Sequence, residues 1–168
     1  WRGKPKPEKF SKKKRFQLSA GDDLPQARAP YVVDKGMTIT VTVRKPAGEG
    51  VLVAQGGSAQ GYSLYVEEGM LHFAARLDGQ LAVVTSESKM PSEPATVTAA
   101  LDKSGKVTLS VAHAGGEPIG EGNVPRTLAK MPQDGLQVGQ DAKGAVGPYE
   151  APFPFQGEIG DVTIVLEP

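Results

Sequence analysis

The sequence predicts an all-β fold, an antiparallel two-sheet β-sandwich, on three observations. Glycine (21) and proline (14) are abundant among its 168 residues, and neither is tolerated inside long helices. Several segments alternate apolar and polar residues with period two, the signature of half-buried strands. Two-residue turn signals, Glu68-Gly69 and Asp78-Gly79, join neighbouring segments as tight hairpins, which make antiparallel pairs.

The segments follow in order. Met37–Arg44 (MTITVTVR) puts Ile39, Val41 and Val43 on one face and Thr38, Thr40 and Thr42 on the other. Gly50–Gln55 is a short apolar run suited to a central strand. Tyr62–Glu67, Met70–Leu77 and Gln80–Thr85 form a meander through the two hairpin turns. Ala95–Asp102 and Lys106–Ala112 flank a three-residue loop with Gly105, and Glu117–Asn123 and Leu136–Gln140 are weaker strands. Gln156–Glu167 closes the chain with Val162, Ile164 and Leu166 on one face. About ten strands at this spacing suit a sandwich, and the one helix-like window, Thr127–Met131, is too short to matter.

The formal net charge of zero hides an asymmetry. Residues 1–16 carry eight Lys or Arg against Glu8 alone, leaving the remainder with an equal acidic excess. This stretch has few apolar residues and carries Pro5 and Pro7, so residues 1–21 read as a basic N-terminal linker or arm and 22–168 as the sandwich domain. No apolar core follows the charges, so the run does not read as a signal peptide. A start at Trp1 suggests a fragment of a longer chain or a processed product. A solvated linker docking on an acidic domain is the plain account of the arm, and binding of nucleic acid or sulfated glycan the sharper one. The plain account is preferred, with no nucleic-acid partner, because no aromatic stacking pattern continues into the domain.

Much chemistry is missing. There is no cysteine, which removes disulfides, thiol nucleophiles and thiolate metal sites. No apolar run approaches the roughly 18 residues of a membrane span. His72 and His113 do not form a metal-binding pair, and no G-x-S-x-G elbow or P-loop occurs. No strand carries the alternating carboxylates of a jelly-roll glucanase; Glu158-Ile159-Gly160-Asp161 has the wrong spacing. The glycine-rich stretch Gln55–Gly61 reads as a hairpin loop, and the loop acids Asp22, Asp23, Asp134 and Asp141 lack the density of a Ca²⁺ loop. No metal or cofactor is therefore expected.

One polar face stands out. With Leu64, Leu71 and Phe73 inward, Tyr65, Glu67, His72 and Arg76 point outward, with Gln80 just past the next turn. An aromatic ring for the CH face of a sugar, beside an Arg suited to oxyanions, makes these five the candidate glycan-binding residues. An ordinary polar sheet face is the plain alternative. Tyr149, Phe153 and Phe155 read as anchors holding a loop with Pro148, Pro152 and Pro154 across the sandwich. Trp1 and Phe10 are assigned to a seam with an upstream domain, and Arg126 to an ion pair with a loop acid.

The stretch GVLVAQGGSAQGYSLYV (Gly50–Val66), followed in order by KVTLSV (Lys106–Val111), GEGNVPRT (Gly120–Thr127), LQVGQD (Leu136–Asp141) and PFPFQGEIGDVTIVL (Pro152–Leu166), resembles the C-terminal domain of bacterial secreted sulfatases of the arylsulfatase type. The resemblance covers about residues 37–167 and contains no catalytic signature. It implies a concanavalin-like, laminin-G-like jelly roll that is periplasmic or extracellular, with the upstream sulfatase catalytic domain of the same chain as partner. The sulfatase nucleophile element C/S-x-P-x-R is absent; Ser92-Glu93-Pro94-Ala95-Thr96 lacks the Arg. The expected function is that of a non-catalytic accessory domain. The alternatives are a carbohydrate-binding module for neutral or sulfated glycans and a jelly-roll glycoside-processing enzyme.

Overall fold

The computed structural model describes residues 11–112 and 117–167, and among these no helix is long and apolar enough to cross a membrane. Trp1, Phe10, His113 and the first ten residues of the arm lie outside the described residues.

Twelve strands form two antiparallel six-stranded sheets. They are β1 (Arg15–Ser19), β2 (Asp23–Leu24), β3 (Gly36–Lys45), β4 (Gly50–Gly56), β5 (Gln60–Glu67), β6 (Met70–Leu77), β7 (Gln80–Lys89), β8 (Ala95–Leu101), β9 (Lys106–Ala112), β10 (Glu117–Asn123), β11 (Leu136–Val138) and β12 (Glu158–Glu167). The first sheet has the order β1-β12-β3-β8-β9-β10 and the second β2-β11-β4-β5-β6-β7. A single 3₁₀ turn, Gln26–Arg28, follows β2; Thr127–Met131 forms no helix.

Alternation becomes layering. Ile39, Val41 and Val43 of the first sheet meet Leu64, Leu71 and Phe73 of the second in one core between the sheets, while Thr38, Thr40 and Thr42 lie half-buried on the outside. The β5–β6 and β6–β7 hairpins turn on Glu68-Gly69 and Asp78-Gly79, with φ of 53° and 79°, then 53° and 83°. Both central residues of each turn are left-handed, as the tightest hairpin turns require. The glycine-rich stretch closes the β4–β5 hairpin, as expected.

Burial extends to one polar cluster. Gln55 is inaccessible; its amide nitrogen donates to the Pro30 carbonyl at 2.9 Å, and its oxygen accepts from the Tyr62 hydroxyl at 2.7 Å. Burial raises the Tyr62 pKa well above its ordinary value. The paired amide fixes the 25–35 segment to the sheet without an orphaned polar group.

The sandwich begins earlier than the sequence suggested. Arg15–Ser19, inside the stretch read as linker, is β1 and pairs with β12 from Arg15↔Val165 to Ser19↔Asp161. Phe16 and Leu18 enter the core while Arg15, Gln17 and Ser19 face out. Two apolar side chains at period two suffice when a ready-made strand edge supplies the hydrogen bonds, and the surrounding charge masked them.

Candidate functional site

Cross-strand register builds the outer face of the second sheet in rows. Tyr65 pairs with His72 and His72 with Thr85; Ser63 with Ala74 and Ala74 with Val83; Gly61 with Arg76 and Arg76 with Leu81. Directly opposed residues share a face, so Tyr65, His72 and Arg76 lie together on the outer face as expected, with Glu67 at its end. Gln80 does not. It pairs with core-facing Leu77, because a two-residue turn fixes the register and places residue 81, not 80, beside Arg76.

The face is divided. Residues 139–157 run across it as a strap, hydrogen-bonded to β4 at Val51 N–H to Phe153 C=O (2.9 Å) and Gly139 N–H to Leu52 C=O (2.8 Å). Between sheet and strap, Val51, Ala54, Tyr65 and Ala74 of the sheet and Val146 of the strap form a second apolar cluster, against which Tyr149 and Phe153 pack. Tyr65 is therefore only 1% exposed. Its ring stacks on His72 at 4.8 Å and meets the edge of Tyr149 at 4.9 Å. The side chain points outward as read from the sequence, but it anchors the strap and presents no platform to a sugar. Tyr149 and Phe153 hold the loop as expected, whereas Phe155 packs on the main core. Gly147 permits this fit: a Cβ there would come within 2.5 Å of the Tyr149 ring.

The strap also carries a buried carboxylate. Asp141, 2% exposed, accepts from the Tyr149 hydroxyl at 2.6 Å and the Val146 N–H at 2.9 Å, and Ser63 Oγ lies 2.8 Å from the same hydroxyl. Burial raises the Asp141 pKa against the two hydrogen bonds. Tyr149 is driven well above its ordinary value by burial and then by the neighbouring carboxylate. Arg76 clasps the strap from the other side: Nε donates to the Val146 carbonyl at 2.7 Å and Nη1 to the Gly79 carbonyl at 3.1 Å.

Past the strap the face opens into a shelf. Leu81 and Val83, each 37% exposed, are the exposed large hydrophobics of the described residues. They stand beside Arg76, His72 and Thr85, with His72 Nδ1 3.0 Å from Thr85 Oγ1. Burial lowers the His72 pKa despite the nearby Glu67 and Glu68, which favours the neutral ring. An apolar step flanked by an imidazole, a hydroxyl and a guanidinium can take a ligand with one CH-rich face and several oxygens. Leu81, Val83 and Thr85 were missed from the sequence, although the Asp78-Gly79 turn fixes their pairing with residues 76, 74 and 72.

Arg126 pairs with Asp78 at 3.2 Å, and Lys130 joins the same carboxylate at 3.2 Å; hydrogen bonds from Lys130 and Gln60 lower the Asp78 pKa. Among the described residues no group of three His, Asp or Glu could hold a metal ion.

No family model matches the chain, and no curated protein matches it either. Solved structures do. The carbohydrate-binding module CBM40 of the Ruminococcus gnavus intramolecular trans-sialidase, bound to α2,3-sialyllactose, aligns with 91% of this chain and 89% of its own at 17% identity and a TM-score of 0.62. Domains LG4-5 of the mouse laminin α1 chain align with 88% of this chain and 40% of theirs at 16% identity and a TM-score of 0.64. The leech intramolecular trans-sialidase aligns with 91% of this chain and 25% of its own at 16% identity and a TM-score of 0.60. At such identities the likeness establishes architecture: the chain has the laminin-G-like, concanavalin-like β-sandwich fold.

Proposed function

We propose that this chain is a non-catalytic carbohydrate-binding sandwich domain whose site is the open shelf of β6 and β7. The observation that carries the proposal is the exposure of Leu81 and Val83 on a part of the outer face that the strap leaves bare, beside Arg76, His72 and Thr85. Apolar side chains receive the CH face of a sugar ring, and the polar neighbours receive its hydroxyl or carboxylate oxygens. Arg76 keeps Nη2 without a hydrogen bond among the described residues while its other nitrogens are fixed, so the guanidinium is already oriented. The sialyllactose-bound structural neighbour supports an acidic sugar as the first ligand to try. The absence of nucleophile and metal motifs from the sequence supports a role in binding over turnover.

The test is calorimetric titration with 3′-sialyllactose and with lactose, on the wild type and on a Leu81→Ser, Val83→Ser double variant. Binding by the wild type that weakens about tenfold or more in the variant supports the shelf. Failure of the wild type to bind either sugar, or equal binding by the variant, overturns it.

The ordered motifs from Gly50 to Leu166 favour a second reading, the accessory domain of a secreted sulfatase, periplasmic or extracellular. There Leu81 and Val83 pack on the catalytic domain of the same chain, and the isolated domain binds neither sugar.

A further inference from the structure

A second site stands apart from the shelf, at the opposite lateral edge of the sandwich. There the chain entering β1 runs along β12, with the Leu166 N–H donating to the Lys14 carbonyl at 2.8 Å. A cleft of about 340 Å³ opens beside it, lined by Lys12, Lys13, Lys14, Tyr31, Lys35 and the edge of Leu166. Two separate stretches of chain, the approach to β1 and the turn before β3, thus bring four ammonium groups to one concavity. Lys13 is seated with Nζ 5.1 Å from the centre of the buried Phe16 ring. Among the described residues no carboxylate lies within ion-pair distance of Lys13, Lys14 or Lys35. Lys13, Lys14 and Lys35, gathered this way, repel one another, and an anion in the cleft relieves that repulsion.

The hollow continues. A second cavity of about 530 Å³ shares Ser11 and Lys13 with the first and reaches Arg28 across β1. Asp22 and Asp23 line this second cavity together with Arg28, so the ground of unmixed positive charge is the first cleft, around Lys13, Lys14 and Lys35. In the sequence Arg2, Lys4, Lys6 and Lys9 precede it.

We infer that this basic cleft binds a sulfated polysaccharide, independently of the shelf. Lysine ammonium groups are compact point charges that pair with sulfate oxygens without demanding bidentate geometry. The cleft is concave and edge-on, whereas reading a duplex requires a protruding helix or ribbon to enter a groove. Single-stranded nucleic acid requires successive aromatic platforms, and among the described residues this cleft has the one ring of Tyr31, itself half-buried. A narrow chain with sulfates repeated along it meets both the volume and the charge.

The experiment uses the full chain and calorimetric titration with a heparin-derived hexasaccharide, its fully desulfated counterpart, and a single-stranded oligo-dT of matched charge. The variants are Lys14→Ser with Lys35→Ser, the conservative Lys14→Arg with Lys35→Arg, and the shelf double variant Leu81→Ser, Val83→Ser. Circular dichroism confirms that each is folded. The sulfated hexasaccharide is expected to bind the wild type and the Arg variant, with affinity falling as salt is raised. The Ser variant is expected to lose about tenfold or more, and the shelf variant nothing. Desulfated sugar is expected not to bind, and oligo-dT to bind more weakly than the sulfated chain. Unchanged affinity in the Ser variant, equal binding of desulfated sugar, or oligo-dT binding as tightly overturns the inference. Loss in the shelf variant alone assigns the ligand to the shelf and overturns the separate site.

Discussion

The two outer faces of the sandwich start from similar ribbons and end differently. On the first sheet the face away from the core presents Thr38, Thr40 and Thr42 of β3 beside Thr96 and Thr98 of β8, all partly accessible. On the second sheet the corresponding face carries Val51, Ala54, Tyr65 and Ala74, and residues 139–157 roof it. Threonine satisfies a sheet face with a hydroxyl in water and needs no cover. An apolar outer face needs a second layer, and the strap supplies one from the long connection between β11 and β12. What distinguishes a bare face from a roofed one is the chemistry of every second residue. It follows that the surface left for a ligand on the second sheet is whatever the roof does not reach.

The comparison can be broken by truncating the roofed face. Tyr65→Ala removes the ring that His72, Tyr149 and Phe153 surround. It should cost about 3–5 kcal/mol in denaturant unfolding, the scale of an aromatic truncation in a core. A loss of only a few tenths would mean that the strap is not seated on Tyr65. Tyr149→Phe tests the polar half of the same seat. It leaves the packing in place but takes a donor from buried Asp141 and a partner from Ser63, so about 1–3 kcal/mol is expected by the same measurement.

A smaller effect is expected from pH. Burial raises the pKa of Asp141 in the folded chain, so the folded state holds a proton that the unfolded chain has already released. Stability contributed by this group is greatest at low pH and declines as pH rises from 3.8 through the raised folded value. Asp78 and Asp102 act in the opposite sense. Hydrogen bonds from Lys130 and from Ser104, respectively, lower their pKa values, and their contributions fade as pH falls below 3.8. The difference in unfolding free energy between wild type and Asp141→Asn isolates the first group. It should move against the wild type as pH rises through that window; a difference moving the other way contradicts the assignment. Smallest of all, Thr40→Ala on the bare face should change stability by no more than about 0.5 kcal/mol.

How much of this was legible in the sequence follows from the same contrast. Strand positions and the inward faces of β3, β5 and β6 came from period-two alternation, which depends only on neighbours along the chain. The hairpin turns fixed pairing as well, and carried through they also place Leu81, Val83 and Thr85 beside the candidate residues and send Gln80 to the other side. The burial of Tyr65 depends on a segment more than seventy residues away, whose sequence marks Tyr149 and Phe153 as loop anchors but not where they sit. A hint was present in β4 and β5, where apolar residues run almost without interruption, as in strands covered on both sides. β1 is hidden because its two core residues alternate with three exposed ones directly after a run of lysines, and only the free edge of β12 makes a strand of them.

The division of the second outer face into a roofed half and an open shelf is tested most directly by mapping backbone amide shifts during titration with 3′-sialyllactose. The account expects shifts concentrated on His72, Arg76, Leu81, Val83 and Thr85, with the strap contacts around Phe153 undisturbed. Shifts centred on Val51, Ser63 and Phe153, with the roof lifting from Tyr65, would contradict it.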